Sequence, residues 1–134
     1  MHDRVRVLFV CAMNKQRSVT AERLYRDDAR LEVRSRGVRA DAHRRVSEED
    51  LRWADIVFAM EGEHQLWIAT RFEELSLPPI AVLDIPDDFE VMDPKLVKIL
   101  RPMIDQKIAA LILSKKKRPN QTPEPTAPSG RGSA

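Results

Sequence analysis

The sequence has few of the residues on which several protein classes depend. Its 134 residues include one cysteine and four glycines, and aromatic residues make up 5%. A single cysteine cannot form an internal disulfide, so a disulfide framework is excluded and a reducing cytoplasm is expected. No apolar run approaches the roughly 20 residues of a membrane-spanning helix. The apolar run after Arg4 and Arg6 is interrupted by Asn14 and Lys15 and lacks a small-residue cleavage pattern, so we expect no export signal.

Positive charge is concentrated at one end of the chain. There are 23 basic and 21 acidic residues, a net charge of +2. Residues 115–134 contain five basic residues and one acidic residue, which leaves 18 basic and 20 acidic residues in 1–114. The lysine run at 115–117 could contact nucleic acid or anionic lipid, but a solvated helix end is favoured, so we expect neither a nucleic-acid nor a membrane partner. The tail is rich in proline and has no apolar periodicity, so we predict that it is disordered and that residues 1–114 form one domain.

Strand-like and helix-like apolar patterns alternate along the chain. They predict strands over 4–10, 31–35, 55–60 and 80–84, and helices over 18–29, 47–53, 61–72 and 94–113. Such alternation favours a four-stranded parallel sheet with helices on both faces, an α/β domain whose ligand lies at the carboxyl ends of the strands. Ser47 with Asp50 predicts a capping box, and Pro102 should kink or split the last helix. We interpret Trp53 and Trp67 as packing residues.

The segment from Cys11 to Ser18 carries residues suited to phosphate chemistry. Its sequence, CAMNKQRS, lies between the first predicted strand and the first predicted helix. A loop in this position can direct backbone N–H groups inward, and the helix N-terminus adds partial positive charge, so the loop suits a phosphate-shaped anion. The same field favours a thiolate nucleophile at Cys11, and the Arg17 guanidinium can bind two phosphoryl oxygens. The alternative is a small buried cysteine without chemistry.

This segment resembles the phosphate loop of the low-molecular-weight protein tyrosine phosphatases. The likeness extends over about residues 4–112, and further pieces follow in the order of the family: Ser35-Arg36-Gly37, Ala42-His43-Arg44, Ala54-Asp55-Ile56-Val57, Met60-Glu61 and Ile85-Pro86-Asp87-Asp88-Phe89. The resemblance implies the phosphatase fold and a phosphomonoester hydrolase that needs neither metal nor cofactor. It favours phosphotyrosine as the substrate, in a phosphorylated protein or a small aryl phosphate.

Three catalytic roles follow from the resemblance. Cys11 would form a cysteinyl-phosphate, Arg17 would bind the phosphoryl group, and Asp87 would be the general acid. A carboxyl in that position protonates the leaving oxygen and then takes a proton from the attacking water. Asp88 stands where the family has proline and is an alternative acid. Phe89, in place of the family's tyrosine, would be the aromatic substrate wall.

Supporting roles also follow from the resemblance. In the family, an asparagine and a serine of the loop are hydrogen-bonded to a serine after the second strand and to a histidine further on. The corresponding residues here are Asn14, Ser18, Ser35 and His43. The implied phosphate-binding and loop-supporting set is Ala12, Met13, Asn14, Lys15, Gln16, Ser18, Ser35 and His43.

The chain departs from the family pattern at several positions. Met13 replaces the loop glycine and should resist a positive φ, and Gln16 replaces a second loop cysteine. Only five residues separate Gly37 from His43, so the substrate wall is short. These departures leave a non-catalytic phosphoanion-binding module as an alternative. A relative of the thioredoxin-coupled arsenate reductases is less favoured, because the chain lacks their additional cysteines.

Overall fold

The computed structural model describes residues 4–117 of the chain. Eight elements follow one another: β1 (Val5–Cys11), α1 (Arg17–Tyr25), β2 (Leu31–Gly37), α2 (Glu48–Trp53), β3 (Ile56–Ala59), α3 (Gly62–Arg71), β4 (Ile80–Val82) and α4 (Pro94–Lys117). Each predicted element is present and in the predicted order. The first helix begins one residue earlier and ends four residues earlier than predicted, and the last extends to Lys117 instead of residue 113. The rest of the predicted tail, 118–134, lies outside the described residues.

The four strands form one parallel sheet in the order β2-β1-β3-β4. Cys11, the last residue of β1, lies opposite Gly37, the last residue of β2. On the other side, Val10 lies opposite Ala59 at the end of β3. The carboxyl ends of three strands therefore meet at one edge, which is where a ligand is expected in such a sheet.

Apolar side chains alternate between the two faces of the sheet. On one face, Leu8, Val10 and Val57 belong to a buried cluster with Leu51 of α2 and Ile68 of α3. This arrangement follows from the period of two in β1 and β3, which sends every second side chain to the same face. The half-buried Trp53 and Trp67 pack against that cluster, as predicted.

The opposite face of the sheet is aromatic. The Phe9 ring stacks on Phe58 with centroids 5.6 Å apart and lies 6.2 Å from the ring of Tyr25 in α1. The Tyr25 hydroxyl in turn donates a hydrogen bond to the Arg101 carbonyl in α4, at 3.5 Å. Helices therefore cover both faces of the sheet, which confirms the predicted fold class.

The helix ends and breaks only partly follow the sequence predictions. The capping box is confirmed, because Ser47 and Asp50 bond reciprocally at the start of α2. Of the two outcomes predicted at Pro102, the split is wrong, since α4 is continuous there, and the kink stays a prediction. The described chain nonetheless divides into two compact units between Met103 and Ile104, the second of which is helical as far as Lys117. Within residues 4–117 no helix is long and apolar enough to cross a membrane.

Candidate active site

Cys11 ends β1 and lies at the bottom of the loop that leads into α1. The thiol is buried, with 3% of the residue exposed. Its Sγ lies 2.9 Å from Ser18 Oγ, in the first turn of α1. A hydroxyl at this distance can donate a hydrogen bond to a sulfur that carries negative charge, so a thiolate at Cys11 would have a donor in Ser18.

Asn14 fixes the shape of the loop. It is fully buried, and its Nδ2 donates to Ser18 Oγ at 3.1 Å. Its φ of 59° lies in the left-handed region, which asparagine tolerates better than most residues. Met13 is not among the described residues with positive φ. The conformational difficulty expected at Met13 therefore does not arise, because the left-handed turn falls one residue later.

Gly37 allows the loop to approach the end of β2. The loop carbonyl of Ala12 accepts hydrogen bonds at 3.0 Å from the backbone N–H groups of Val38 and Arg39. A Cβ at Gly37 would lie 2.7 Å from that carbonyl oxygen and 2.9 Å from the Asn14 nitrogen. Both atoms are backbone, so neither can move aside without moving the loop. The resemblance pointed to this glycine, and the close approach gives the physical reason for it.

The support expected from His43 comes from its neighbour instead. His43 is exposed, and its backbone N–H, not its ring, bonds to the loop, donating to the Met13 carbonyl at 2.9 Å. Asn14 Oδ1 accepts from Arg44 Nε at 3.2 Å. The role predicted for the His43 ring is therefore corrected. The longer arginine side chain reaches the loop amide, and nothing in the sequence distinguished these two adjacent side chains.

Ser35 is close to the loop but bonds to it indirectly. Its hydroxyl donates a short hydrogen bond to the Glu22 carboxylate and accepts one from Arg44 Nη2 at 3.1 Å. Arg44 Nη2 also donates to Glu22, at 3.1 Å. Ser35 thus positions Arg44, which in turn holds Asn14. The predicted direct bond from Ser35 to the loop is replaced by this relay.

Arg17 is buried at the start of α1, and its guanidinium is held through Nη1. Its Nη1 donates to Ile85 O at 2.7 Å and makes a short hydrogen bond to Glu61. Its Nε is buried without a hydrogen-bond partner among the described residues, 3.8 Å from Asp87 Oδ1. Because a buried guanidinium N–H normally has an acceptor, the free Nε marks a place for a ligand oxygen.

Glu61 is a site residue that sequence reasoning missed. It precedes α3 and follows the end of β3, so the sheet edge brings it to Arg17. The resemblance of Met60-Glu61 to the family's Met-Asp pair predicts no role for it. An acidic residue directly after a buried strand, at the edge that also carries a buried arginine, is the signal that could have assigned one.

His64 lies under this ion pair. It is fully buried, and its Nδ1 accepts a hydrogen bond from the Glu61 backbone N–H at 3.1 Å. Burial, and secondarily the charge of Arg17, lower the pKa of His64 against the opposing effect of Glu61. His64 is therefore a neutral acceptor that fixes the backbone from which Glu61 extends.

Potential metal ligands also occur here. Atoms of Glu61, Glu63 and His64 lie within 4.8 Å of one another. The Glu61 carboxylate is already paired with Arg17, and His64 Nδ1 already accepts a hydrogen bond. A cation would have to displace these contacts. Glu61 and His64 are therefore better suited to holding Arg17 in place than to binding a metal.

A small cavity joins the predicted catalytic residues. Its volume is about 40 Å³, and it is lined by Cys11, Ala12, Met13, Lys15, Gln16, Arg17 and Asp87. The structure thus brings Cys11, Arg17 and Asp87 together. Asp87 is exposed, with 58% of its side chain accessible. The half-buried Phe89 and the exposed Asp88 do not line the cavity.

Solved structures share this architecture. The YwlE arginine phosphatase from Geobacillus stearothermophilus has a TM-score of 0.62 at 23% identity, covering 90% of this chain and 99% of that one. The Drosophila arginine phosphatase DARP has a TM-score of 0.58 at 19% identity over 84% and 98%. A low-molecular-weight phosphotyrosine phosphatase from Vibrio cholerae has a TM-score of 0.52 at 20% identity over 85% and 98%.

These likenesses establish the fold. The chain has the fold of the low-molecular-weight phosphatases, so the fold implied by the resemblance in sequence is confirmed. No protein-family model and no curated protein matches the sequence. The solved structures include phosphatases named for arginine as well as for phosphotyrosine.

Proposed function

We propose that the chain is a cysteine-dependent phosphatase that works through a cysteinyl-phosphate. The observation that carries this proposal is the convergence of Cys11, Arg17 and Asp87 on one cavity. A volume of about 40 Å³ holds only a small group, since one water occupies roughly 10–15 Å³ on the same kind of measure. A phosphoryl group can enter, whereas the group that it esterifies must stay at the exposed mouth.

In the first step, Cys11 Sγ attacks phosphorus while the bond to the leaving oxygen breaks. The free Nε of Arg17 and the N–H groups of the loop stabilise the negative charge on the equatorial oxygens. Asp87 donates its proton to the leaving oxygen, so that the product departs as an alcohol or phenol.

In the second step, water attacks the cysteinyl-phosphate. Asp87, now a carboxylate, takes a proton from that water, and the S–P bond breaks to release inorganic phosphate. The thiolate leaves with the hydrogen bond from Ser18 Oγ, 2.9 Å away. The cycle returns Cys11 and Asp87 to their starting forms without a redox partner.

Phosphotyrosine is the substrate that we favour from the sequence resemblance, and phosphoarginine is the second candidate. The cavity lining contains no aromatic side chain, although a ring would be expected to stack on a tyrosyl group. The exposed carboxylate of Asp88, next to the proposed acid Asp87, could pair with a guanidinium at the mouth. Comparing kcat/KM for two peptides that differ only in phosphotyrosine or phosphoarginine would decide between these substrates.

Turnover of a generic aryl phosphate by wild type and Cys11→Ser tests the proposed activity. We expect hydrolysis to be lost in the variant with the fold retained, because serine at this position is a far weaker nucleophile. Rapid acid quench should trap one phosphoryl group per wild-type chain. Residual metal-independent turnover in Cys11→Ser would mean that another residue attacks phosphorus.

The non-catalytic and reductase alternatives predict different results. A binding module would take up phosphate but hydrolyse no phosphoryl ester. A reductase would oxidise NADPH when arsenate, thioredoxin and thioredoxin reductase are present. We expect none above background, because Gln16 stands where a relay thiol would be needed. Arsenate should instead inhibit aryl-phosphate hydrolysis competitively.

A further inference from the structure

A basic cleft lies beside α1, outside the catalytic cavity. Its volume is about 490 Å³, and it is lined by Val19, Glu22, Arg23, Arg26, His43 and Arg44. The helix contributes its residues at spacings of three, four and seven, which places them on one face. The other wall is the segment after β2. With His43 neutral, three arginines against one glutamate give the lining a charge of +2.

The arginines of this cleft have unused hydrogen-bond donors. Arg23 and Arg26 are exposed and form no ion pair within residues 4–117. Arg44 is half exposed and bonds through Nε and Nη2, while its Nη1 has no hydrogen bond among the described residues. Guanidinium groups bind phosphoryl oxygens in pairs, so three of them around one cleft suit a ligand with several phosphoryl oxygens.

A second cleft, which also contains arginines, does not share the net positive charge of the basic cleft. Its volume is about 670 Å³, and it includes Arg52 and Arg71. Three glutamates, Glu48, Glu73 and Glu74, share that cleft, and Arg52 is paired with Glu48 at 2.6 Å. The three glutamates of the second cleft outnumber its two arginines, whereas the basic cleft has one glutamate for three arginines.

Arg44 connects the basic cleft to the nucleophile. Its Nε donates to Asn14 Oδ1 at 3.2 Å, Asn14 Nδ2 donates to Ser18 Oγ at 3.1 Å, and Ser18 Oγ lies 2.9 Å from Cys11 Sγ. A ligand oxygen on the free Nη1 would hold Arg44 in the position that orders Asn14. Such a ligand favours the ordered loop only to the extent that it binds that state more tightly.

We propose that the basic cleft binds a small soluble polyphosphate anion, with two or more phosphoryl groups, and that this anion activates the Cys11 loop through Arg44. A compact cleft of this volume suits a small molecule, since such sites span about 300–1,000 Å³. The effect on turnover rests on the proposed phosphatase activity, while binding in the cleft does not.

The test uses inorganic tripolyphosphate with the full chain. In ¹H–¹⁵N spectra, the signals of the backbone amides of 19–26 and 43–44 should shift as tripolyphosphate is added. Their dependence on its concentration should differ from that of the amides of the 11–18 loop, where the anion also competes for the cavity. Arg23→Gln/Arg26→Gln should weaken binding in the cleft by about tenfold or more, because two charge-assisted contacts are lost. The matched double variant Arg52→Gln/Arg71→Gln should bind as wild type does. Shifts confined to the 11–18 loop, or equal binding by both double variants, would overturn the proposal.

The kinetic arm measures aryl-phosphate hydrolysis against tripolyphosphate concentration. We expect activation of about fivefold, typical of coupled sites, followed by competitive inhibition at higher concentration. Arg23→Gln/Arg26→Gln should keep the basal rate and the inhibition but lose the activation. Inhibition alone in wild type would refute the coupling.

If no form hydrolyses the ester, the proposed phosphatase activity fails, while the spectra still decide whether the cleft binds tripolyphosphate. Tighter binding of hexaglutamate than of tripolyphosphate would overturn the small-molecule assignment in favour of an acidic protein segment.

Discussion

The two chain segments that meet at the cavity lined by Cys11, Arg17 and Asp87 differ in how firmly the fold holds them. In the loop from Cys11 to Ser18, four side chains are 3% exposed or less: Cys11, Asn14, Arg17 and Ser18. In the segment 84–93, four carboxylates are exposed, those of Asp84, Asp87, Asp88 and Glu90, and the backbone is anchored mainly near Ile85 and Met92. Ile85 N–H donates to Met60 O at 2.8 Å, and Met92 N–H donates to Thr20 Oγ1 at 2.8 Å.

Under the proposed mechanism, this difference separates the positioning of the phosphoryl group from proton transfer. Cys11, the proposed nucleophile, and Arg17 are buried, so their geometry is set when the sheet forms. Asp87, the proposed acid, lies between two backbone anchors, so it can approach a leaving group that protrudes from the cavity. We therefore expect substitutions in the loop to affect stability as well as activity, and substitutions of the acid to affect activity alone.

The largest effect expected in the exposed segment is that of Asp87→Asn. It should slow hydrolysis of alkyl phosphates and other esters with poor leaving groups by about 10²- to 10⁴-fold, because their oxide must be protonated. Activated aryl esters should be slowed much less. The urea midpoint should not change, since Asp87 is exposed.

Asp88→Asn is the matched control for the acid. It should leave the dependence on the leaving group as in wild type, because Asp88 does not line the cavity. If Asp88→Asn shows the loss of poor substrates instead, the acid is one residue further along than the geometry indicates.

A smaller loss of activity is expected for Glu61→Gln. Glu61 bonds to Arg17, whose Nη1 also joins the loop to the segment 84–93 through the Ile85 carbonyl. In Glu61→Gln, the side chain can still accept a hydrogen bond from Nη1, but the charge that orients the guanidinium is lost. We expect kcat/KM for aryl phosphates to fall by about tenfold, in keeping with the loss of one charge-assisted hydrogen bond. Glu63→Gln, an exposed neighbour without a bond to Arg17, should have no effect. Tighter inhibition by phosphate in Glu61→Gln would show that Glu61 weakens the field of Arg17 instead of orienting it.

Much of this arrangement was predictable from local sequence. Short apolar strands alternating with amphipathic helices gave the sheet, and the segment from Cys11 to Ser18 gave the site, because both depend on neighbours in the chain. Arg44 and Glu61 depend on side-chain reach across the sheet edge, which no local pattern encodes. The same holds for Asn14, where the left-handed turn could equally have fallen on Met13. A split at Pro102 did not follow, because a proline removes one helical hydrogen bond without necessarily ending the helix.

Gly37→Ala tests the firmness of the loop itself. The new Cβ would meet Ala42 Cβ at 2.6 Å as well as two backbone atoms of the loop. We expect the free energy of unfolding to fall by about 1–3 kcal/mol, the usual range for overpacking, and activity to fall because Asn14 is displaced. Gly62→Ala provides a matched control, since no atom lies within 4 Å of its Cβ position. Equal stability of the two variants, measured in urea, would mean that the loop is not rigid.

The smallest effect should appear as a pH dependence at His64. Burial lowers its pKa in the folded chain, whereas in the unfolded chain it titrates near its ordinary value of about 6.5. Below that value the unfolded state binds more protons, so the free energy of unfolding should decrease as the pH is lowered, by at most about 1.4 kcal/mol per pH unit from this group. In His64→Asn the amide oxygen can still accept a hydrogen bond from the Glu61 N–H. The contribution of His64 to the pH dependence of the free energy of unfolding should vanish between pH 7.5 and 5. His43→Asn should keep it, because His43 is exposed. Identical slopes in wild type and His64→Asn would show that His64 is protonated within the fold, so that it could not accept the hydrogen bond that orients Glu61.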